Sequence, residues 1–441
     1  MGPREQGMVT WRKLALFGAG CTVGTGFFLG SGLAIERGGP AVAAAFLIAA
    51  ASAYIVFELL AGMTAADPEA GSFRSYAKKA YGPWAGFSSG WAYWCSELLI
   101  MGSQLMALSI FSRFWFPNVP LSLFAAGYAV LSLMVLLLGT ALLSRLEHVL
   151  GAVKLMAIAG FIALAAAIAA GWAGNGDVPF PNRAREWLPN GIGGFWSALV
   201  YAFYAFGGLE VLALMAVRLR DPGDAPKAGK TMLAVLAVLY VSALGLAMAI
   251  VPHAAFSSKE SPFVTAVHWH GLPVFPHLFN AVFMIAGFST MAASLFAVMT
   301  MVTVLAKDGD APRRFVANDR RGLSSPTFLL TAAGLFLSVI LALLVPARLY
   351  EYITTAAGLL LLYNWLFILS FAPRLLPLGR LARWKRWAAF LFIVLAVGGT
   401  VVDRSIRPGF FISLALVAAI AFAAFIRTRK TVQNPRIRPQ T

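Results

Sequence analysis

Long apolar runs separated by short polar punctuation follow one another from near one end of the chain to the other. An α-helix needs about 20 consecutive apolar residues to cross the hydrocarbon core of a bilayer. Scanning for such runs predicts twelve spans: roughly 12 to 35, 40 to 63, 84 to 112, 120 to 140, 148 to 171, 192 to 217, 230 to 251, 276 to 306, 326 to 346, 349 to 372, 387 to 402 and 409 to 427. Turn residues mark the boundaries: Gly38, Gly39 and Pro40 before the second span, Pro117 to Pro120 before the fourth, Pro222 to Pro226 between the sixth and seventh. No stretch between the runs could hold a soluble domain, so residues 1–441 are predicted as a single transmembrane domain. The first run is longer than a signal-peptide core and has no small-residue cleavage site, which predicts a retained span.

Composition agrees with this. The chain is 60% hydrophobic and only 12% charged, about half the charge of a soluble domain. The net charge of +17 raises the possibility of nucleic acid, but its placement argues otherwise. If the amino terminus is cytoplasmic, 26 of the 35 Lys and Arg fall in loops on that side and 8 on the other, with Lys154 inside the fifth span. That asymmetry orients a polytopic chain with both termini cytoplasmic, in a plasma membrane, and makes anionic lipid the natural contact of the basic loops; no nucleic-acid partner is expected. Cys21 and Cys95 lie within apolar runs and form no disulfide or metal pattern.

Two spans carry breaks. GAGCTVGTGFFLGSG, residues 18 to 32, has six glycines in fifteen positions, and FYAFGGLE, residues 203 to 210, places Gly207 and Gly208 inside the sixth span. Glycine costs about 1 kcal/mol against alanine in a helix interior, so such clusters predict helices that open at mid-membrane. Spans one and six are corresponding members of two five-helix repeats, 12–171 and 192–372, with 387–427 supplying helices 11 and 12. Paired interruptions of this kind point to a 5+5 inverted-repeat transporter with its site at the membrane midplane. The competing reading is that these glycines only let helices pack closely.

The residues also carry a family resemblance. GCTVGTGFFLGSGLAIERGGPAV resembles the first-span signature of bacterial amino acid permeases of the amino acid, polyamine and organocation superfamily (amino acid transporter family). DPEAGSFRSYAKKAYGPWAGFSSGWAYW, FWFPNVP, FGGLE followed by DP, and LAKDGDAPRRF at 305 to 315 are similar to its later motifs, in order, from about residue 10 to 325. The resemblance implies the all-α leucine-transporter-type fold with twelve helices, of which 1 and 6 are broken. Its substrate would be a small-molecule amino acid.

An unwound segment inside a membrane exposes backbone groups that lipid cannot satisfy, so they must face a cavity and its ligand. The half-helix after Gly24 offers N–H groups and a positive dipole end, suited to a carboxylate; the carbonyl end before it suits an ammonium. By resemblance, the amides of Thr25 and Gly26 and the Thr25 hydroxyl go to the carboxylate, with Val23 in the same unwound stretch. The carbonyls of Thr22, Tyr204 and Gly207 go to the amine, and Tyr204 and Phe206 are candidate aromatic gates.

Three ionisable side chains, Glu97, Lys154 and Glu210, stand where lipid would penalise them. Lys154 matches a lysine that sodium-independent relatives carry near the sodium site of sodium-coupled ones; it is read as a proton carrier or as a fixed structural cation. Glu210 matches an acid beyond the sixth-span break and could carry a proton, transmit gating or serve as a hydrogen-bonded structural acid. Glu97 departs from the family pattern and falls near the substrate side chain, where it could favour a cationic or polar substrate, bind a proton, or pair with Gln104. No catalytic constellation, P-loop, cofactor motif or metal spacing is present, so neither an enzyme nor an ATP-driven pump is indicated. The expectation is a sodium-independent, proton-coupled amino acid permease working by alternating access. Its alternatives are an amino acid exchanger, a non-transporting membrane amino acid sensor, and a channel. Monomer and homodimer remain equal alternatives.

Overall fold

The computed structural model describes residues 9–137, 140–173, 184–257, 259–316, 324–344 and 349–433. Among these the architecture is helical throughout, with no strand beyond one isolated bridge between Val9 and Leu219. The helices are α1 (Trp11–Thr22), α2 (Thr25–Phe28), α3 (Gly30–Gly38), α4 (Val42–Ala66), α5 (Phe73–Tyr81), α6 (Pro83–Arg113), α7 (Leu121–Leu137), α8 (Thr140–Ala169), α9 (Ala184–Trp187), α10 (Gly191–Tyr204), α11 (Leu209–Met215), α12 (Ala225–Ile250), α13 (Pro262–Trp269), α14 (Val274–Lys307), α15 (Ser325–Leu344), α16 (Leu349–Leu375), α17 (Arg380–Val402) and α18 (Arg407–Gln433).

Nine segments of the described residues are long and apolar enough to cross a membrane, and Leu121–Leu137 and Ser325–Leu337 are shorter apolar helices. One of the nine, Thr25–Ala66, runs from the second half of the first expected span through the second. The ends of the fourth and ninth expected spans, 138–139 and 345–346, lie outside the described residues. Helix α8 starts at Thr140, eight residues before its apolar run, because Ala141, Leu142, Leu143, Arg145, Leu146 and Glu147 are good helix formers that continue the helix past the hydrophobic boundary.

Local chemistry sets the helix ends. The Thr10 side chain caps α1 by accepting from the Lys13 amide, and Pro83 and Pro226 sit in the first turns of α6 and α12, where a missing N–H costs nothing. The core lies where α4 packs on α12, α6 on α14 and α16, and α1 on α8, α11 and α12.

Ion pairs tie both ends of the bundle. At one end Arg37, closing α3, bridges Glu351 at the start of α16 and Asp403 between α17 and α18. At the other, Arg74 of α5 is fully buried and bridges Asp308 and Asp310 after α14; Lys78 joins Asp308 at 3.1 Å, and Arg427 of α18 joins Asp310. Burial pushes the Asp308 carboxyl up, but the Arg74 guanidinium and the Lys78 ammonium outweigh it and hold it below the usual aspartate range.

Candidate functional site

The first helix ends at Thr22, and its last turn closes with the Val23 amide donating to the Ala19 carbonyl at 2.8 Å. Gly24 is extended, and α2 restarts at Thr25, with the amides of Phe27 and Phe28 both turned onto the Gly24 carbonyl at 3.0 Å. As first residues of a helix, Thr25 and Gly26 have amides with no intrahelical acceptor. A further offset at Leu29 separates α2 from α3, a feature the glycine pattern did not localise. The second break falls where expected: α10 ends at Tyr204, tight turns bring the Phe206 and Gly207 amides onto the carbonyls of Phe203 and Tyr204, and α11 begins after Gly208.

The two breaks meet. Gly208 has φ +111°, and a Cβ there would lie 2.9 Å from the Cys21 carbonyl oxygen, so the start of α11 rests directly on the end of α1. A Cβ on Gly24 would lie 2.6 Å from the Thr290 hydroxyl of α14, and one on Gly26 3.1 Å from the Tyr204 ring. At Gly24 and Gly208 an added side chain would collide with a neighbouring helix, and at Gly26 it would press on the Tyr204 ring.

Between the breaks lies a cavity of about 30 Å³, lined by Cys21, Thr22, Gly24, Thr25, Gly26, Tyr204, Gly207, Gly208 and Val211 from the broken helices, Glu97, Ile100 and Gln104 from α6, and Thr290, Ala293 and Ser294 from α14. That volume admits one or two waters. Four buried polar atoms of this lining, the hydroxyls of Thr22 and Thr25, Glu97 Oε2 and Gln104 Oε1, have no hydrogen-bond partner among the described residues. Native interiors satisfy most buried polar groups, so four unmet ones on one cavity mark it as a place for a polar ligand.

The sequence pattern of the amino acid permease family matches residues 14–402. The chain belongs to that family. It is similar to the uncharacterized transporter YcgH of Bacillus subtilis, 47% identical over 435 residues that cover 98% of each chain. It is also similar to the aromatic amino acid transport protein AroP of Escherichia coli K12, 27% identical over 431 residues, 92% of this chain and 93% of the relative. The uncharacterized amino acid permease YtnA of Bacillus subtilis is 29% identical over 364 residues, 81% of this chain and 78% of the relative.

In this permease the expected site residues divide. Thr22, Gly24, Thr25, Gly26, Tyr204, Gly207 and Glu97 line the cavity. Val23 is fully buried beside it and outside the lining. Phe206, expected as a gate, is instead packed behind the wall, its ring 5.2 Å from Tyr240 and 6.4 Å from Phe46; the tight turn at the break aims Tyr204 inward and Phe206 away. Glu97 and Gln104 share the lining without hydrogen-bonding through Glu97 Oε2 or Gln104 Oε1.

Lys154 is buried in α8 and donates to the Gly20 carbonyl at 2.6 Å. In an unbroken helix the Gly24 amide would take that carbonyl, so the lysine occupies a place vacated by the break. Glu210 lies outside the lining, fully buried: Oε2 accepts from the Gly208 amide at 3.1 Å and Oε1 from the Trp365 indole of α16. It fastens the mouth of α11 to α16. The lining residues of α14 were missed because their helix is apolar overall; Thr290 and Ser294, one turn apart, are the signal that could have found them.

Proposed function

We propose that this permease is a secondary active transporter that carries an amino acid across the plasma membrane by alternating access, sodium-independent and coupled to protons. The observation that carries the reading is the convergence of both helix breaks, with unmet polar atoms, on one cavity. The proposed layout is twelve helices in a 5+5 inverted repeat, 12–171 and 192–372, followed by two more, with both termini cytoplasmic. The amides of Thr25 and Gly26 and the Thr25 hydroxyl hold the substrate carboxylate. The carbonyls of Thr22, Tyr204 and Gly207 hold its ammonium. Glu97 meets the side chain, and Lys154 is the coupling cation.

A cavity of about 30 Å³ is smaller than any amino acid, so loading requires its walls to separate. The moving unit is α1 to α4 with α10 to α12, rocking against α6, α8, α14 and α16, and the end that holds Arg37 opens by parting its pairs with Glu351 and Asp403.

Purified protein in liposomes tests this, with a panel of the twenty amino acids that begins with the aromatic ones named for AroP. Accumulation of one of them under an inward proton gradient is the expected result. Uptake that needs internal amino acid and ignores the gradient makes the protein an exchanger. Binding without flux makes it a sensor. Neither binding nor flux for any amino acid overturns the reading.

A further inference from the structure

One basic segment stands apart from the transport machinery. RLARWKRW opens α17 and places Arg380, Arg383, Lys385 and Arg386 within two turns, directly before an apolar stretch; the helix is long and apolar enough to cross a bilayer. The helix buries Ala389, Ile393 and Ala396 against the bundle, where it packs on α4, α10 and α16. Its opposite face is open: Trp384 is 76% exposed and Trp387 55%, and Leu391 and Val394 continue the same stripe at helical spacing. From the end inward this face presents cation, then indole, then aliphatic side chain. That is the order of a phospholipid leaflet, in which phosphates lie outermost, Trp prefers the interface and acyl chains lie beneath.

The charges flank the stripe. Arg380 lies on it, Arg383 borders one edge with its Nε donating to the Leu378 carbonyl at 3.1 Å, and Lys385 lies further round the helix, about 100° from Trp384 on the side toward α4. Arg386 is turned inward, donating to the Leu369 carbonyl at 3.0 Å with its guanidinium over Trp387. On the Lys385 side, Glu58 of α4 stands between two ammoniums, Lys385 at 3.9 Å and Lys230 of α12 at 3.5 Å. One carboxylate shared by two lysines leaves positive charge in excess, and both contacts are long and open to the surroundings. A zwitterionic head group gains little from such a surface; an anionic one gains from every cation near it.

We propose that the outward face of α17 is a binding site for one anionic phospholipid, with the head-group phosphate held by Arg380 and Arg383, the Lys385 ammonium adding to the positive field beside them, Trp384 and Trp387 at the depth of the ester groups, and the acyl chains along Leu391 and Val394. Because Lys385 pairs with Glu58 of α4 beside the site, the bound lipid steadies the packing of α17 on α4.

The full chain in neutral detergent tests this, titrated with phosphatidylglycerol, with phosphatidylcholine of the same acyl chains, and with inorganic phosphate. Thermal unfolding midpoints and lipid adducts in native mass spectra are the readouts. Phosphatidylglycerol is expected to raise the midpoint by about 5 °C near saturation and to leave one retained adduct, while phosphatidylcholine and phosphate do neither. The triple variant Arg380→Gln, Arg383→Gln, Lys385→Gln is expected to lose at least half of that rise and the adduct, and Trp384→Ala to weaken both. Equal effects of the two lipids, an equal effect of inorganic phosphate, or an undiminished response of the triple variant would overturn the proposal. If the triple variant does not purify as a folded monodisperse species, Arg380→Gln alone replaces it, judged by loss of the adduct.

Discussion

The ammonium of Lys154 donates to the carbonyl of Gly20 at 2.6 Å, so a side chain from α8 fills the backbone position that the break after Thr22 leaves open. Removing the donor leaves a buried carbonyl short of a partner, a cost of about 1–3 kcal/mol. Lys154→Ala is expected to lower the unfolding midpoint and to abolish gradient-driven uptake in liposomes. Under the proton-coupling proposal, any uptake that survives should no longer respond to a pH gradient. Unchanged pH dependence in the variant would remove Lys154 from the coupling step and leave it a structural cation.

Gly24 faces Thr290 so closely that any side chain collides with the Thr290 hydroxyl and methyl. Gly24→Ala is expected to cost at least tenfold in uptake. Thr290→Ala removes both colliding atoms, so the double variant Gly24→Ala, Thr290→Ala should recover part of the loss. Gly208→Ala should show no such recovery, because its obstacles are the Cys21 backbone carbonyl and a φ of +111° that alanine rarely adopts. The pattern of rescue at one break and none at the other is read directly from initial uptake rates.

Much of this was legible in the sequence because it rests on local chemistry. Apolar run length gives nine spanning segments and two shorter apolar helices among the described residues, and the glycine clusters give both breaks, although the same glycines also let helices approach closely, as Gly24 does Thr290. What was not legible depends on rotation and neighbours. Phe206 and Tyr204 stand two residues apart on the same broken helix, and only the tight turn decides which faces the cavity. Glu210 and Glu97 look alike as acids in apolar spans; one has both oxygens engaged by Gly208 and Trp365, and the other has Oε2 unmet on the cavity. Thr290 and Ser294 join the lining through helix packing that no local pattern encodes.

Asp308 gives the protein a pH signature at one end of the bundle. Its carboxyl is pulled up by burial and further down by Arg74 and then Lys78, so the folded chain favours the charged form more than the unfolded chain does. A depressed value contributes stability that is complete above the unfolded value, near pH 4, and is lost as pH falls through the folded one. Stability of the wild type should therefore hold from neutral pH to about 5 on this account and decline below about 4. Asp308→Asn should lose up to about 1 kcal/mol at neutral pH, a modest figure because the carboxylate is partly exposed, and should show a shallower acid decline. Midpoints in matched buffers across that range measure both.

Glu97 presents to the cavity an oxygen, Oε2, with no hydrogen-bond partner among the described residues, on a residue only 2% exposed. Ser294 and Tyr93 stand close to its carboxyl, but neutral donors alone leave a buried carboxylate costly, so a further partner for its charge is expected: a cationic or donor-bearing substrate side chain, or a proton. The two answers separate in Glu97→Gln, which keeps the shape and removes the charge. If the substrate answers, competition by lysine and arginine should weaken by tenfold or more relative to neutral amino acids of similar size, while the response to a proton gradient persists. If a proton answers, the ranking should stay and the gradient response should flatten. A variant with wild-type ranking and wild-type gradient response would mean that the carboxylate serves neither purpose, and the substrate side chain would then have to be read by Ile100, Gln104 and Ser294 alone.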